Sequence, residues 1–151
     1  MRIAITLLLA CLSATAQAVW GFGANAFTES SPKPSAFAFY ATEIDHANEI
    51  FSVSEIDFIP VGLNPVRIQT SPRTGVAKHF RRFGTIDTFL LVDGGVATNG
   101  TNTSGAAGGG FAAHVPIKNS SWGAVLGYRA VTTAIGGTTH LIQIGFGRRS
   151  Q

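Results

Sequence analysis

The sequence predicts an all-β fold: a single antiparallel up-and-down β-barrel of about eight strands that follows an N-terminal signal peptide. Three observations lead to this prediction. Residues 1–18 have the pattern of a cleavable export signal, and the remaining chain alternates apolar and polar residues in eight separate segments. Glycine is also frequent, at 18 residues, while charged residues make up only 13% of the chain. Together these features favour a closed sheet in an exported protein.

The export signal opens the chain. Arg2 is followed by the apolar stretch Ile3–Leu12, and then by the small-residue motifs Ala-Thr-Ala at 14–16 and Ala-Gln-Ala at 16–18. This is the three-part pattern of a signal peptide, and it is too short to span a bilayer. Cleavage after Ala16 or Ala18 fits the pattern. We prefer Ala18, which gives a signal peptide of residues 1–18 and a β-barrel domain of residues 19–151.

The single cysteine, Cys11, lies inside the signal peptide. Residues 8–11 resemble a lipoprotein box, but we expect no lipidation because only ten residues precede Cys11, too few for both the charged and the apolar regions. The exported chain then has no cysteine, so it contains neither a disulfide nor a zinc site built on thiolates.

The composition of the exported chain narrows the class of protein further. Loss of Arg2 leaves ten Lys and Arg residues against eight Asp and Glu residues, with no continuous basic stripe, so we expect no nucleic-acid partner. The one local basic cluster, Lys78–Arg82, is interpreted as a solvated turn. No run of about 18 apolar residues follows the signal, so a transmembrane helix is not expected.

Eight segments with a two-residue period are the predicted strands, and each is bounded by Gly, Pro, Asn or Ser residues that reverse a chain. Lys78–Gly84 is predicted as a long turn, and Asn99–Ala107 as a loop. The strands are Val19–Thr28, Ser35–Ile44, Glu49–Ile59, Val66–Ala77, Ile86–Thr98, Gly108–Lys118, Trp122–Thr133 and Thr138–Arg149.

The two faces of the last strands differ in a way that predicts which face is outside. In the seventh strand, Trp122, Leu126 and Tyr128 share one face, while Gly127 and Arg129 lie on the other. A soluble sandwich would place charges densely on its solvent face, whereas these polar faces are mostly Gly, Ala and isolated charges. In a membrane barrel the large apolar residues contact lipid, and small and polar residues fill the lumen.

Charges of both signs occur on the predicted inner faces, as a narrow lumen requires, because an unpaired buried charge costs several kcal/mol. We expect the third and fourth strands to form a hairpin whose turn is centred on residues 62 and 63, with the two acidic residues of the third strand facing the two arginines of the fourth. The predicted lumen charge network consists of Glu55, Asp57, Arg67, Arg73, Asp93 and Arg129.

With its signal peptide, glycine-rich alternating strands and closing segment His140–Phe146, the chain resembles the small eight-stranded, porin-superfamily-like β-barrels of the outer membrane of Gram-negative bacteria. The resemblance implies a bacterial cell outer membrane location, with outer-membrane lipid and the barrel assembly machinery as partners. It also implies that Ile142, Ile144 and Phe146 act as an assembly signal. The family usually ends on an aromatic residue, whereas five residues follow Phe146 here.

No set of residues in the sequence predicts catalysis or cofactor binding. His114, Ser120 and Ser121 lie close together in the chain, but no Gly-x-Ser-x-Gly motif is present, and His114 is expected in the lumen or at its rim. The four histidines lack metal-ligand spacing, and Gly105–Gly110 lacks the Lys-Ser/Thr ending of a phosphate loop. We therefore expect no enzyme activity, no cofactor and no metal.

The sequence favours an outer-membrane β-barrel with a structural or surface role and no open pore, because eight strands enclose only enough room for side chains. The alternative is a soluble exported β-barrel that binds a small apolar ligand, as lipocalins do, and a third interpretation is an outer-membrane lipid-modifying enzyme. The outer face distinguishes the first two. Trp20, Trp122 and Tyr128 favour the membrane, whereas Ser52 and Ser54 do not.

Overall fold

The computed structural model describes residues 18–27, 35–63, 66–98, 101–134 and 137–149. Phe27 and residues 60–63 and 66–67 are described by their backbone alone. The predicted signal peptide lies outside the described residues apart from Ala18, which is the first residue of the first strand.

The eight strands form one closed antiparallel barrel in which each strand pairs with the next and the last pairs with the first. This confirms the predicted fold class. The strands are β1 (Ala18–Phe27), β2 (Ser35–Asp45), β3 (Ile50–Leu63), β4 (Val66–Phe83), β5 (Ile86–Thr98), β6 (Thr103–Pro116), β7 (Trp122–Thr133) and β8 (Gly137–Arg149).

Closure gives the barrel two distinct ends. The N-terminus of β1, the C-terminus of β8 and the turns at residues 46–49, 84–85 and 117–121 lie at one end, which we call the terminal end. The C-terminal ends of β1, β3, β5 and β7 lie at the opposite end. Within the described residues no helix is long and apolar enough to cross a membrane, a finding that concerns helices alone.

Side chains alternate between the lumen and the exterior, because successive residues of a strand point to opposite faces. On β8, Leu141 and Gln143 are buried inside, while Ile142, Ile144 and Phe146 are exposed outside. On β7, Val125 and Arg129 point inward and Leu126 points outward. The faces predicted for these strands are the faces observed.

The predicted long turn at Lys78–Gly84 is wrong. β4 continues to Phe83 and pairs with β5 across a register shift between His79 and Arg81, and the turn shrinks to residues 84 and 85. Gly84 supplies the positive φ, 61°, that this tight turn requires. The run of charges suggested a solvated loop, but charged side chains can extend from a paired strand into water.

Two other predicted boundaries also need correction. β6 begins at Thr103, because residues 103–107 pair with 94–98 although apolar and polar residue types do not alternate there in the sequence. β3 continues to Leu63, past a register shift between Pro60 and Gly62, so the hairpin does not turn at residues 62 and 63. Backbone pairing, which needs no particular side chain, extends both strands.

Candidate functional site

A group of charged and amide side chains from six strands crosses the middle of the lumen, and we call it the lumen cluster. Its position follows from strand register: Glu55 lies directly opposite Arg73, and every member lies at an inward-facing position. The charged members are almost completely buried, with 0% of Asp57 and 1% of Arg129 exposed. The members are Asn25, Glu55, Asp57, Arg73, Asp93, Arg129 and Gln143.

Arg73 is the centre of the lumen cluster. Its two terminal nitrogens each lie 2.6 Å from a carboxylate oxygen, Nη2 from Glu55 and Nη1 from Asp57. Its Nε lies 3.3 Å from Asp93 Oδ1, and Nη1 also donates a hydrogen bond of 3.2 Å to Ser71 Oγ. The planar guanidinium fork allows one side chain to hold three carboxylates at once.

A second arginine reduces the excess of negative charge from the other side of the lumen. Arg129 of β7 forms an ion pair with Asp93 Oδ2, so Asp93 is held between two cations. The two residues beside Asp93 on the neighbouring strands have no side chains and leave room for its carboxylate. They are Gly75 on β4 and Gly108 on β6. A methyl group at Gly108 would lie 2.5 Å from Asp93 Oδ1.

Two buried amides donate further hydrogen bonds to carboxylates that Arg73 also contacts. Asn25 Nδ2 donates a 2.8 Å hydrogen bond to Asp57 Oδ1, and Gln143 Nε2 donates a 3.0 Å bond to Glu55 Oε1. The sequence analysis placed neither amide in the network. A signal was available, because each is a polar residue whose preceding residue on the same inward face is Gly or apolar.

The structure brings together five of the six predicted network residues, namely Glu55, Asp57, Arg73, Asp93 and Arg129. Arg67 differs from these five. Its backbone pairs with Gly62, six residues along β4 from Arg73, which is about 20 Å in an extended strand. The side chain of Arg67 lies outside the described part of the chain.

A second polar group, at the terminal end, was not predicted as a site, and we call it the terminal mouth. Asp87 is its centre: Arg82 Nε lies 2.6 Å from Oδ1, His79 Nε2 3.3 Å from Oδ1, and Arg149 Nη2 3.5 Å from Oδ2. His79 Nδ1 is also 2.8 Å from Glu49 Oε2. The predicted solvated turn therefore contributes two residues to a cross-strand ion-pair network.

The turn beside the terminal mouth carries His46, whose Nδ1 lies 2.8 Å from Glu43 Oε1. This hydrogen bond, with the charge of Glu43, raises the pKa of His46 above its usual value near 6.5. Asp45 accepts hydrogen bonds from the backbone N–H and the side-chain amide of Asn48, which closes the turn.

An apolar chamber lies inside the barrel between the lumen cluster and the terminal mouth. It has a volume of about 90 Å³, and Glu55 and Gln143 of the lumen cluster form its floor. Two of its rings, Phe37 and Phe39, stack with centroids 6.2 Å apart and occupy space left by glycines on β1. The remaining walls are mainly aliphatic and aromatic: Val19, Ala41, Phe51, Val53, Ala77, Phe89, Leu91, Ala112 and Val125.

The exterior of the barrel is apolar around its circumference. Aromatic rings meet near the terminal end, where Trp20 and Trp122 pack edge-to-face with centroids 5.3 Å apart. Ser54 is also on this face, and its hydroxyl lies 3.4 Å from that of Thr74 on the next strand. The large exposed apolar residues include Phe22, Ile68, Val76, Leu90, Val92, Val96, Phe111, Leu126, Ile142, Ile144 and Phe146.

The predicted assembly-signal residues Ile142, Ile144 and Phe146 form one row on this exterior, on the strand that closes the barrel against β1. Phe146 lies opposite Phe22, and Ile144 opposite Ala24. β8 continues beyond the row, because Arg148 and Arg149 pair with Trp20 and Val19.

The residues considered for catalysis are not assembled into a catalytic set. His114 lies in the lumen, on the wall of the apolar chamber, and Ser120 lies in the β6–β7 turn, where its hydroxyl accepts a hydrogen bond of 3.1 Å from the backbone N–H of Trp122. Across the described ranges, no group of three or more His, Cys, Asp or Glu residues could hold a metal ion.

Comparison with known proteins identifies the fold. No family model matches the sequence, and neither does any curated protein. Neisserial surface protein A matches with a TM-score of 0.63 at 10% identity, over 90% of this chain and 96% of that chain. The Yersinia pestis outer membrane protein Ail, solved in a phospholipid bilayer nanodisc, matches with a TM-score of 0.58 at 12% identity, over 89% of this chain and 99% of that chain. The fold is that of small outer-membrane β-barrels.

A de novo designed transmembrane β-barrel also matches this chain, with a TM-score of 0.61 at 9% identity, over 89% of this chain and 95% of that chain. At such identities the likeness concerns the fold alone. What this chain adds to the fold is the arrangement of its own residues, with ionic groups across the lumen and apolar groups outside.

Proposed function

We propose that this chain is an integral β-barrel of the bacterial outer membrane with a structural or surface role, neither a pore nor an enzyme. The proposal includes cleavage of the signal peptide after Ala18 or Ala16, insertion by the barrel assembly machinery and contact with outer-membrane lipid.

The observation that carries the proposal is the polarity of the barrel, which is the reverse of that of a soluble protein. Charged residues such as Arg73 and Asp57 are buried in the lumen, and large apolar residues such as Phe146 and Leu126 are exposed outside. A soluble protein rarely exposes a contiguous apolar patch of more than a few hundred Å². Lipid is the solvent in which an apolar exterior and a barrel without sheet edges are both stable.

The lumen cluster supports the absence of a pore. Side chains from β1, β3, β4, β5, β7 and β8 meet across the lumen and pair with one another. Such a layer of paired side chains is typical of a lumen that side chains fill, as expected for eight strands.

The alternative, a soluble exported barrel that binds a small apolar ligand, draws support from the apolar chamber. The apolar exterior argues against this alternative, because a soluble barrel needs a polar surface. One substitution separates the two proposals. Leu126→Arg places a charge on the outer face near the middle of β7. In a bilayer this change should cost about 2–4 kcal/mol, whereas in water an exposed position should change by less than about 0.5 kcal/mol.

The experiment expresses the full chain with its signal and measures membrane fractionation, gel migration with and without boiling, and N-terminal sequence. We expect the parent in the outer-membrane fraction, with a shift on boiling, and Leu126→Arg with a strongly reduced folded band. Lys118→Arg, in an exposed turn, is the matched control and should behave like the parent. Recovery of a freely soluble parent, with Leu126→Arg equally stable, would favour the ligand-binding barrel instead.

A further inference from the structure

We propose that the apolar chamber binds a short alkyl chain that carries an uncharged hydroxyl head group, with the tail toward the lumen cluster and the head at His114. This inference goes beyond the proposed structural role and assumes only that the barrel is folded in its membrane.

The first support is that side chains do not fill the chamber. Protein interiors are close-packed, with few voids larger than a water molecule, and an eight-stranded barrel is just wide enough to be filled by side chains. This lumen nevertheless has about 90 Å³ of space beside Phe51, Phe89 and Leu91. Apolar cavities on the order of 150 Å³ stay dry and take up small apolar molecules.

The second support is an entrance. Phe51, Phe89 and Arg149 line both the chamber and the terminal mouth, so the two spaces meet at these residues. The rings of Phe51 and Phe89 pack edge-to-face with centroids 5.6 Å apart and form an apolar neck. On the other side the lumen cluster closes the chamber, so a chain can enter from the terminal end only.

The third support identifies the head group. His114 is the register partner of Asp87, which places it where the chamber meets the terminal mouth. Both of its ring nitrogens are buried, and neither has a hydrogen-bond partner among the described residues. A neutral imidazole offers one donor and one acceptor, which point in different directions, and a hydroxyl can pair with either of them because it both donates and accepts. The mouth has carboxylates beside its cations, at Asp87 and Glu49, so it does not select a charged head.

The test uses the full mature barrel in lipid nanodiscs, titrated with n-alkanols from butanol to decanol while its methyl groups are followed by NMR. Neighbouring residues provide an internal comparison: Leu91 and Val125 line the chamber, whereas Leu90 and Leu126 face outward. We expect saturable shifts at the inner methyls and only linear, lipid-like shifts at the outer ones. Affinity should rise about fourfold per methylene, the equivalent of ~0.8 kcal/mol, and stop rising once the chamber is full.

Two variants on β6 test the location, because they introduce the same side chain on the same inner face. Ala112→Leu fills the chamber and should abolish saturable binding, whereas Ala106→Leu lies outside the chamber and should leave it unchanged. A third variant, His114→Phe, should remove the preference for hexanol over hexane. The shift on boiling establishes folding for each variant, and any that fails to fold is replaced by Ala112→Val or Ala106→Val.

Unshifted inner methyls in a barrel that is folded and inserted would overturn this inference and leave the proposed function intact. Equal shifts at inner and outer methyls, or full binding by Ala112→Leu, would also overturn it. A parent chain that does not insert into membranes would instead contradict the proposed function.

Discussion

At the scale of single residues, Arg73 is the side chain that stabilises the buried carboxylates of the lumen cluster. Two arginines face three carboxylates in the lumen cluster, and Arg73 contacts all three of those carboxylates. The amides of Asn25 and Gln143 donate further hydrogen bonds to Asp57 and Glu55, which lowers the cost of the excess negative charge.

We expect Arg73→Leu to lower the free energy of unfolding by about 3–5 kcal/mol, because it leaves buried carboxylates without their cation. Adding Glu55→Gln should restore only part of the lost stability, since Asp57 remains without a cation. Arg82→Leu is the control: its side chain is 62% exposed, and its loss should be much smaller. Urea titration in detergent micelles measures all three. Equal midpoints for Arg73→Leu and the parent would mean that the lumen charges are solvated.

Two adjacent glycines of β6 provide a second residue-scale prediction. A methyl group at Gly108 would lie 2.5 Å from Asp93 Oδ1, and Asp93 cannot easily move because Arg73 and Arg129 both hold it. A methyl group at Gly109 would meet nothing closer than 3.5 Å. Gly108→Ala should therefore destabilise the barrel by about 1–3 kcal/mol, and Gly109→Ala by less than about 0.5 kcal/mol. The same urea titration measures both variants. A larger loss of stability for Gly109→Ala than for Gly108→Ala would show that Gly109, and not Gly108, faces the lumen.

At the scale of elements, β8 has two roles that can be separated. It closes the barrel against β1, and its outer row of Ile142, Ile144 and Phe146 is the proposed assembly signal. Removing residues 148–151 cannot serve as a neutral control, because Arg148 and Arg149 belong to the paired strand. A better control is an aromatic residue with the same exposure on another strand.

Phe146 and Phe111 form this pair, with 52% and 56% of their surfaces exposed. In refolding with purified lipid, Phe146→Ala and Phe111→Ala should cause similar losses, because each removes one ring from lipid. In cells, Phe146→Ala should lower the amount of assembled barrel several times more than Phe111→Ala, since it alone alters the assembly signal. Gels run with and without boiling measure the amount of folded barrel both after refolding and in cells. Equal losses in cells would show that Phe146 acts only as a lipid contact.

At the scale of the whole molecule, the barrel has an apolar exterior and a lumen divided into zones. The lumen cluster blocks the middle, the apolar chamber lies on the terminal side of it, and the terminal mouth lies beyond the chamber. The exterior matches lipid, and the interior contains the charges that lipid would exclude.

This division predicts that the barrel conducts no ions. Purified protein reconstituted into a planar bilayer should give no steady current steps, because the paired charges of the lumen cluster leave no hydrated path. Boiled protein added in the same way is the control for nonspecific leakage. Uniform, reproducible steps from the unboiled sample alone would show that the lumen is open.

The sequence by itself determined the strand count, the inner and outer faces and most of the lumen cluster. These follow from a local rule, since alternate residues of a strand point to opposite faces, and a run such as Trp122–Arg129 has only one assignment that places Arg129 inside. The end of β4 could not be predicted from local chemistry, because the charges of Lys78–Phe83 resemble a loop whereas the backbone remains paired with β5.

The tertiary structure alone decided what each inner residue contacts. Closure brings Asn25, Glu55 and Gln143, which are far apart in sequence, into one cluster, and it places Asp87 between Arg82 and Arg149. The apolar chamber was equally beyond the sequence, because its volume depends on how the rings of Phe37 and Phe39 fill space left by glycines on another strand. Periodicity specifies the face of a residue, whereas register and barrel closure specify its neighbours.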